Sequence, residues 1–202
     1  MEIDVWNAGL FTLGAIMLLG SPGPAIAALI AIGKDRGFAG SLRFFWGLQI
    51  GLAFGAAVSA AGLTSVLLAI PFAATAMTVA ATIYLLWLAY TIATAPLTGG
   101  PKQSKSAIAS SAGGGFLLGA TNPKAYLAFM SLMASYAMVP KHPPIDAGMK
   151  WLLCVIVMIV VDLIWLWLGA VLGMARLTPM AERTMNVTMG ATILLTAGLA
   201  FL

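Results

Sequence analysis

One acidic residue, Asp162, stands inside an apolar run, between Val160-Val161 and Leu163-Ile164. Insertion scales put an aspartate at the centre of a membrane helix at roughly 2.5–3.5 kcal/mol. A carboxylate there is therefore a functional-site candidate, able to exchange a proton or receive an ammonium group. Lys124 is the cation that falls within a hydrophobic run and is its candidate partner; in the competing reading its long stem snorkels to an interface. Two proline-centred interruptions accompany this pair. Ser21-Pro22-Gly23-Pro24 removes two backbone donors and sets a flexible glycine between them, while Asn122-Pro123-Lys124 repeats the break and adds an amide and a cation. Freed carbonyls and amides are tolerated at membrane depth only where protein or a watered cavity receives them. The amide ends of such half-helices suit an anionic group such as an α-carboxylate, and the carbonyl ends with Asp162 suit an ammonium or a proton. Gln49 is a further substrate contact or an interhelical hydrogen bond. The plainer alternative makes both breaks packing kinks and Asp162 a structural hydrogen-bond donor.

These residues must be positioned by membrane helices. The chain is 61% hydrophobic and 8% charged, where soluble domains average about 45–50% and about 25%. At about 20 residues per span, its 202 residues leave no room for a soluble catalytic or nucleotide-binding domain, which excludes ATP-driven pumping by this chain alone. The lone His142 and lone Cys154 provide neither a metal cluster nor a nucleophile–base pair nor a redox couple, and one embedded aspartate cannot form a two-carboxylate protease site. No enzyme activity, metal or other cofactor is expected. The net charge of +4 is scattered rather than gathered into a stripe that could follow phosphates, so nucleic acid is not an expected partner.

Charge-free runs give the spans. Val5 to Gly33 is the first, ended by Lys34-Asp35-Arg36. The uncharged stretch from Arg43 to Lys102 is too long for one helix and divides at Pro71. Residues 96–106 form a polar connection, Ala107 to Val139 is a fourth helix broken at Pro123, Trp151 to Ala175 a fifth, and Thr184 to Leu202 a sixth. The expected fold is an all-α integral membrane protein, one transporter domain over 1–202. Acidic Glu2 and Asp4, in place of a basic leader, predict that the first helix is retained. Lys34, Arg36, Arg43, Lys102, Lys105, Arg176 and Arg183 fall on one side, against Lys141 and Lys150 with the acidic N-terminus on the other. The positive-inside rule then places both termini outside.

The first and fourth helices echo each other. Leu18-Leu19-Gly20 precedes Pro24-Ala25 as Leu117-Leu118-Gly119 precedes Pro123-Lys124-Ala125, an offset of 99. Three spans per half is odd, so the halves, about 1–98 and 107–202, are expected to be inverted repeats, with helices one and four broken at proline. Gly47, Gly51 and Gly55 line one face of helix two and permit close helix packing. Trp151, Trp165, Trp167, Tyr84, Trp87 and Tyr90 are expected as interfacial anchors.

In the order Ser21-Pro22-Gly23-Pro24, Gly37 and Gly40, Gly47-Leu48-Gln49-Ile50-Gly51, Tyr84-Leu85-Leu86, Phe116-x-x-Gly119-x-x-Asn122-Pro123-Lys124-Ala125 and Val160-Val161-Asp162, the chain resembles amino-acid exporters of the LysE/RhtB type. The Asn-Pro-Lys-Ala stretch is the most specific element. The chain departs from the family's pattern at Ala25, where Asn is common, at Thr78, where Lys is common, and at Ala89, where Gly is common. The resemblance implies a multi-pass bacterial inner-membrane exporter of amino acids or related zwitterions, using the proton gradient. Its partners are then a small-molecule substrate, the proton and the lipid bilayer. The oligomeric state is left open, a homo-oligomer included. Rival readings are a small-ion or metal transporter or channel, and a membrane assembly subunit that binds a partner helix through its glycine face.

Overall fold

The computed structural model describes residues 2–21, 23–62, 111–174 and 178–199, together with single positions between 79 and 94. Pro22, Tyr84, most of the helix expected after Pro71, the 96–106 connection, Lys102, Lys105 and Arg176 lie outside the described residues. Every regular element among the described residues is a helix: α1 (Val5–Gly20), α2 (Pro24–Ala60), α3 (Ala112–Ala120), α4 (Pro123–Ala134), α5 (Pro143–Met174) and α6 (Pro179–Leu199). Of these, α2 and α5 are long and apolar enough to cross a membrane, and α1 is shorter and apolar.

The expected first span is two helices. It opens at Asp4, whose Oδ1 accepts the Asn7 amide at 3.0 Å, leaves helical geometry at Ser21 and Gly23, and resumes with Pro24 in the first turn of α2. Proline is favoured there because its fixed φ suits a helix start and its missing N–H would have no intrahelical acceptor. Within α2 the backbone turns at Gly37, at φ 70° and ψ 174°, a conformation that glycine adopts without steric cost. Ser41 Oγ reaches both Gly37 O at 2.7 Å and Ile32 O at 3.1 Å. Nine residues of continuous helix would separate 32 and 41 by about 13 Å, so α2 is a helical hairpin with arms 24–36 and 38–60. The Lys34-Asp35-Arg36 stop is thus a one-residue turn, and the second arm begins ahead of the expected Arg43.

Both arms pack by close backbone approach. The second arm runs alongside α3: Gly51 sits against the Phe116 carbonyl, and a Cβ on Gly119 would come within 2.5 Å of Leu48 O. Gly47 lies on the Ala112 carbonyl, whereas Gly55 faces the rings of Tyr126 and Phe129. This glycine face is covered within the chain, which removes the surface that an assembly-subunit reading requires. The first arm packs on α5 in the same manner, with Gly169 against the Ile30 carbonyl and Gly33 against Leu166 O.

On α5 the buried positions Asp146, Lys150, Cys154, Met158, Asp162, Leu166 and Ala170 recur every four residues, while Leu152, Ile156, Val160, Ile164 and Leu168 are exposed. An exposed apolar face opposite a buried face with both charge signs is inverted relative to a water-soluble helix, and it suits lipid outside and a polar site inside.

At the end of α5 remote from Lys34, Asp146 accepts the Met138 and Val139 amides at 2.6 and 2.8 Å. It also pairs with Lys150 at 2.9 Å, whose ammonium donates to Met133 O at 3.0 Å. Asp4 N and Asn7 Nδ2 donate to Met138 O and Ala137 O, each at 2.9 Å. One staple therefore holds the N-terminus, the 135–142 connection and α5 together. This corrects two expectations. Lys150 is a buried helical residue rather than a loop charge, and α5 starts at Pro143 rather than Trp151. Trp151 is likewise more than an anchor, since its Nε1 donates to Ala53 O at 3.0 Å.

Removing Asp146 would strand a buried ammonium and two amides. Asp146→Ala is expected to lower stability by about 3 kcal/mol, and Asp146→Ala with Lys150→Met to regain part of it. Thermal unfolding in detergent measures both; an unchanged midpoint in the single variant would make the staple incidental.

Candidate functional site

The two helix breaks and the polar face of α5 converge on one cavity. The first break supplies Ser21 and Gly23, the second Asn122 and Lys124, α5 supplies Asp162 and Met158, and the second arm of α2 supplies Leu52. Gln49, one helical turn before Leu52, stands behind Asp162. The cavity holds about 40 Å³, room for a few water molecules, so a larger guest requires the surrounding helices to move apart.

At the first break Ser21 Oγ donates to Leu18 O at 2.8 Å, and the Ser21 carbonyl accepts from Lys124 Nζ. A cation is favourable at that point, because the last carbonyls of α1 carry the negative end of its dipole. Gly23 makes the approach feasible: a Cβ there would lie 2.8 Å from Lys124 Cδ and 3.0 Å from its Nζ. Lys124 accordingly does not snorkel away. It crosses from the second break to close the first.

The two half-helix amide ends differ. Asn122, buried, caps α4 with its own side chain, its Oδ1 accepting the Ala125 amide at 3.4 Å. Gly23 offers α2 no side-chain cap, so the Ala25 and Ile26 amides have no intrahelical acceptor, and both residues line the cavity. The two ends thus differ in their caps: Asn122 covers the Ala125 amide of α4, whereas Gly23 brings no side chain to the first turn of α2. Pro24 and Pro123 begin the two helices without lining the cavity.

Asp162 is 4% exposed and accepts from Gln49 Nε2 at 2.7 Å. Lys124 is near enough for its charge to act on this carboxylate. The direct partner of Asp162 is thus Gln49, in place of the lysine that sequence position singles out. Gln49 is itself 4% exposed, and its Oε1 has no hydrogen-bond partner among the described residues. A buried carboxylate held by one amide donor thus shares the cavity with a single cation among the described lining residues. That set can bind an ammonium and a carboxylate together, or hold a proton at Asp162.

Among the predicted site residues the structure gathers Ser21, Gly23, Asn122, Lys124 and Asp162 around one cavity, with Gln49 against Asp162, and leaves Gly47, Gly51 and Gly55 in helix packing. The apolar lining from Leu18, Ile26, Leu52 and Met158 was not read from the sequence. Its signals were present in Met158 one turn before Asp162 and Leu52 one turn after Gln49.

The family model described as LysE type translocator matches residues 16–202. No curated protein and no solved structure matches the chain.

The Gln49–Asp162 bond can be tested alone. Gln49→Leu leaves the buried carboxylate without its donor and is expected to destabilise the protein by about 2 kcal/mol. Gln49→Leu with Asp162→Leu should restore most of the loss. Equal unfolding midpoints for wild type and Gln49→Leu would dissolve the pair as an energetic unit.

Proposed function

Because the chain belongs to the LysE type translocator family, whose members export amino acids or related small molecules across membranes, we propose that it is a secondary exporter of such zwitterions. In this reading it works by proton antiport with alternating access in the bacterial inner membrane. It has six spans arranged as two inverted three-helix repeats, with the matched breaks at Ser21–Pro24 and Asn122–Lys124 meeting at the substrate site. The observation that carries the reading is the cavity itself, where Asp162, Lys124 and the first turn of α2 line one space.

Antiport follows from competition for one carboxylate. Facing the cytoplasm, Asp162 releases its proton and takes the substrate ammonium, while Lys124 and the α2 amides take the substrate carboxylate. Facing outward, a proton neutralises Asp162, the ammonium loses its counter-charge and the substrate leaves. Either occupant compensates the buried carboxylate; an empty, charged Asp162 is the unfavourable species. That ordering suppresses crossing of the empty ionised carrier and couples the two flows. Lys124, half-buried between the breaks, holds the Ser21 carbonyl, so substrate binding and the contact between the two breaks are joined at one ammonium.

The basic end, with Lys34, Arg36 and Arg43, is cytoplasmic in this reading, and the Asp4, Lys141 and Asp146 end is outside. Single cysteines at Asp35 and at Pro144, in a Cys154→Ala background, test it with an impermeant thiol reagent. In intact cells Pro144→Cys should react and Asp35→Cys should not; the reverse would invert the orientation.

Asp162→Asn keeps the shape and the hydrogen-bonding capacity of the side chain but cannot titrate. In proteoliposomes with an imposed pH difference it should lose uphill accumulation and retain a slower downhill flux that is flat with pH. Gradient-driven accumulation at the wild-type rate would remove Asp162 from coupling.

A further inference from the structure

Resting on the exporter reading, the charge inventory of the cavity narrows the cargo. Among the described lining residues Lys124 supplies the one positive charge and Asp162 the one negative charge. The other polar side chains on the wall are uncharged: Ser21 Oγ donates to Leu18 O, and Asn122 Oδ1 accepts the Ala125 amide. Gln49 Nε2 donates to Asp162 from behind and holds its carboxylate, which remains the acceptor for an ammonium. The rest of the wall is hydrocarbon and thioether, from Leu18, Ile26, Leu52 and Met158.

A guest with a cationic side chain would bring a second positive charge to a space already holding Lys124 and would find no second acid. A guest with an anionic side chain would set its extra carboxylate near Asp162 with Lys124 already engaged. Either case buries an unpaired charge, the arrangement that low-dielectric surroundings penalise most. A net-neutral zwitterion matches both charges once and leaves its side chain to the apolar wall.

We propose that the transported compound is an α-amino acid with an uncharged, apolar side chain, its ammonium received by Asp162, which Gln49 holds in place, and its carboxylate by Lys124 and the amide end of α2. The apolar wall at Leu52 and Met158 receives the side chain, and discrimination against charged side chains comes from the absence of a second counter-charge among the described lining residues.

The test uses the purified wild-type chain in proteoliposomes, with counterflow of L-alanine, L-valine, L-leucine, L-lysine and L-glutamate. Thermal stabilisation in detergent by the same compounds is a binding readout independent of turnover. At least one of the apolar three should exchange and stabilise, with lysine and glutamate weaker by about ten-fold or more. For L-leucine as substrate, isoamylamine and 4-methylpentanoate, which lack the carboxylate and the ammonium respectively, should compete poorly. Lysine or glutamate handled as well as the apolar compounds would overturn this inference and leave the exporter reading standing. Competition by either truncated analogue equal to that of leucine would overturn the two-point recognition. If none of the five amino acids exchanges or stabilises, the amino-acid exporter reading falls, and this inference with it.

Discussion

A carboxylate inside a helix whose opposite face is apolar and exposed constrains the rest of this molecule. Asp162 can be held there only if α5 turns it inward and a neighbour supplies a donor, and Gln49 Nε2 does so at 2.7 Å. That bond fixes the rotation of α5, and with it the inward face that runs from Asp146 to Ala170. It also draws the second arm of α2 against α5. The reach of a glutamine side chain limits how far apart the two backbones can stand, and the same arm must still pack α3 on its other side. Gly51 and Gly119 make this possible, since a Cβ at either would strike a backbone atom of the facing helix.

The helix breaks belong to the same problem. A membrane helix that stops exposes carbonyls at one end and amides at the other, and the hydrocarbon cannot satisfy them. Here the second break serves the first: Lys124 reaches the Ser21 carbonyl over a residue, Gly23, that has no side chain to obstruct it. Asn122 caps the Ala125 amide of its own helix, and the first turn of α2, without a side-chain cap, lines the cavity through Ala25 and Ile26. A single ammonium therefore stands between the helix ends and a carboxylate. Displacement of that ammonium toward a bound anion would loosen the contact between the two breaks, which links occupancy to the helix movement that a cavity of about 40 Å³ requires.

Much of this was legible in the sequence, for local reasons. Proline at a helix start and a charge inside an apolar run leave their marks at their own positions, so both breaks, Asp162 and Lys124 could be singled out before any contact was known. The pairing could not. Whether Asp162 meets Lys124 or Gln49 depends on helix rotation and register, which no single segment specifies. Gly37 was noted as a glycine, but its role as a one-residue hairpin turn appears only when Ser41 is seen bonding to Ile32 O. Lys150 lies four residues after Asp146, a helical spacing hidden by Pro143 and Pro144, which read as a loop and instead open α5. Met158 and Leu52 read as ordinary apolar residues because lining a cavity and packing a core use the same side chains.

In the proposed cycle Asp162 exchanges a proton for the substrate ammonium at one carboxylate. Infrared difference spectroscopy on the reconstituted protein tests it directly, with L-leucine added at a pH where the carboxyl is protonated and Asp162→Asn as the control. Leucine is expected to bleach a protonated-carboxyl C=O stretch and release a proton into the medium, and the bleached band is expected to be absent in Asp162→Asn. A substrate-induced spectrum without that band, obtained under conditions where leucine is bound and transported, would contradict it.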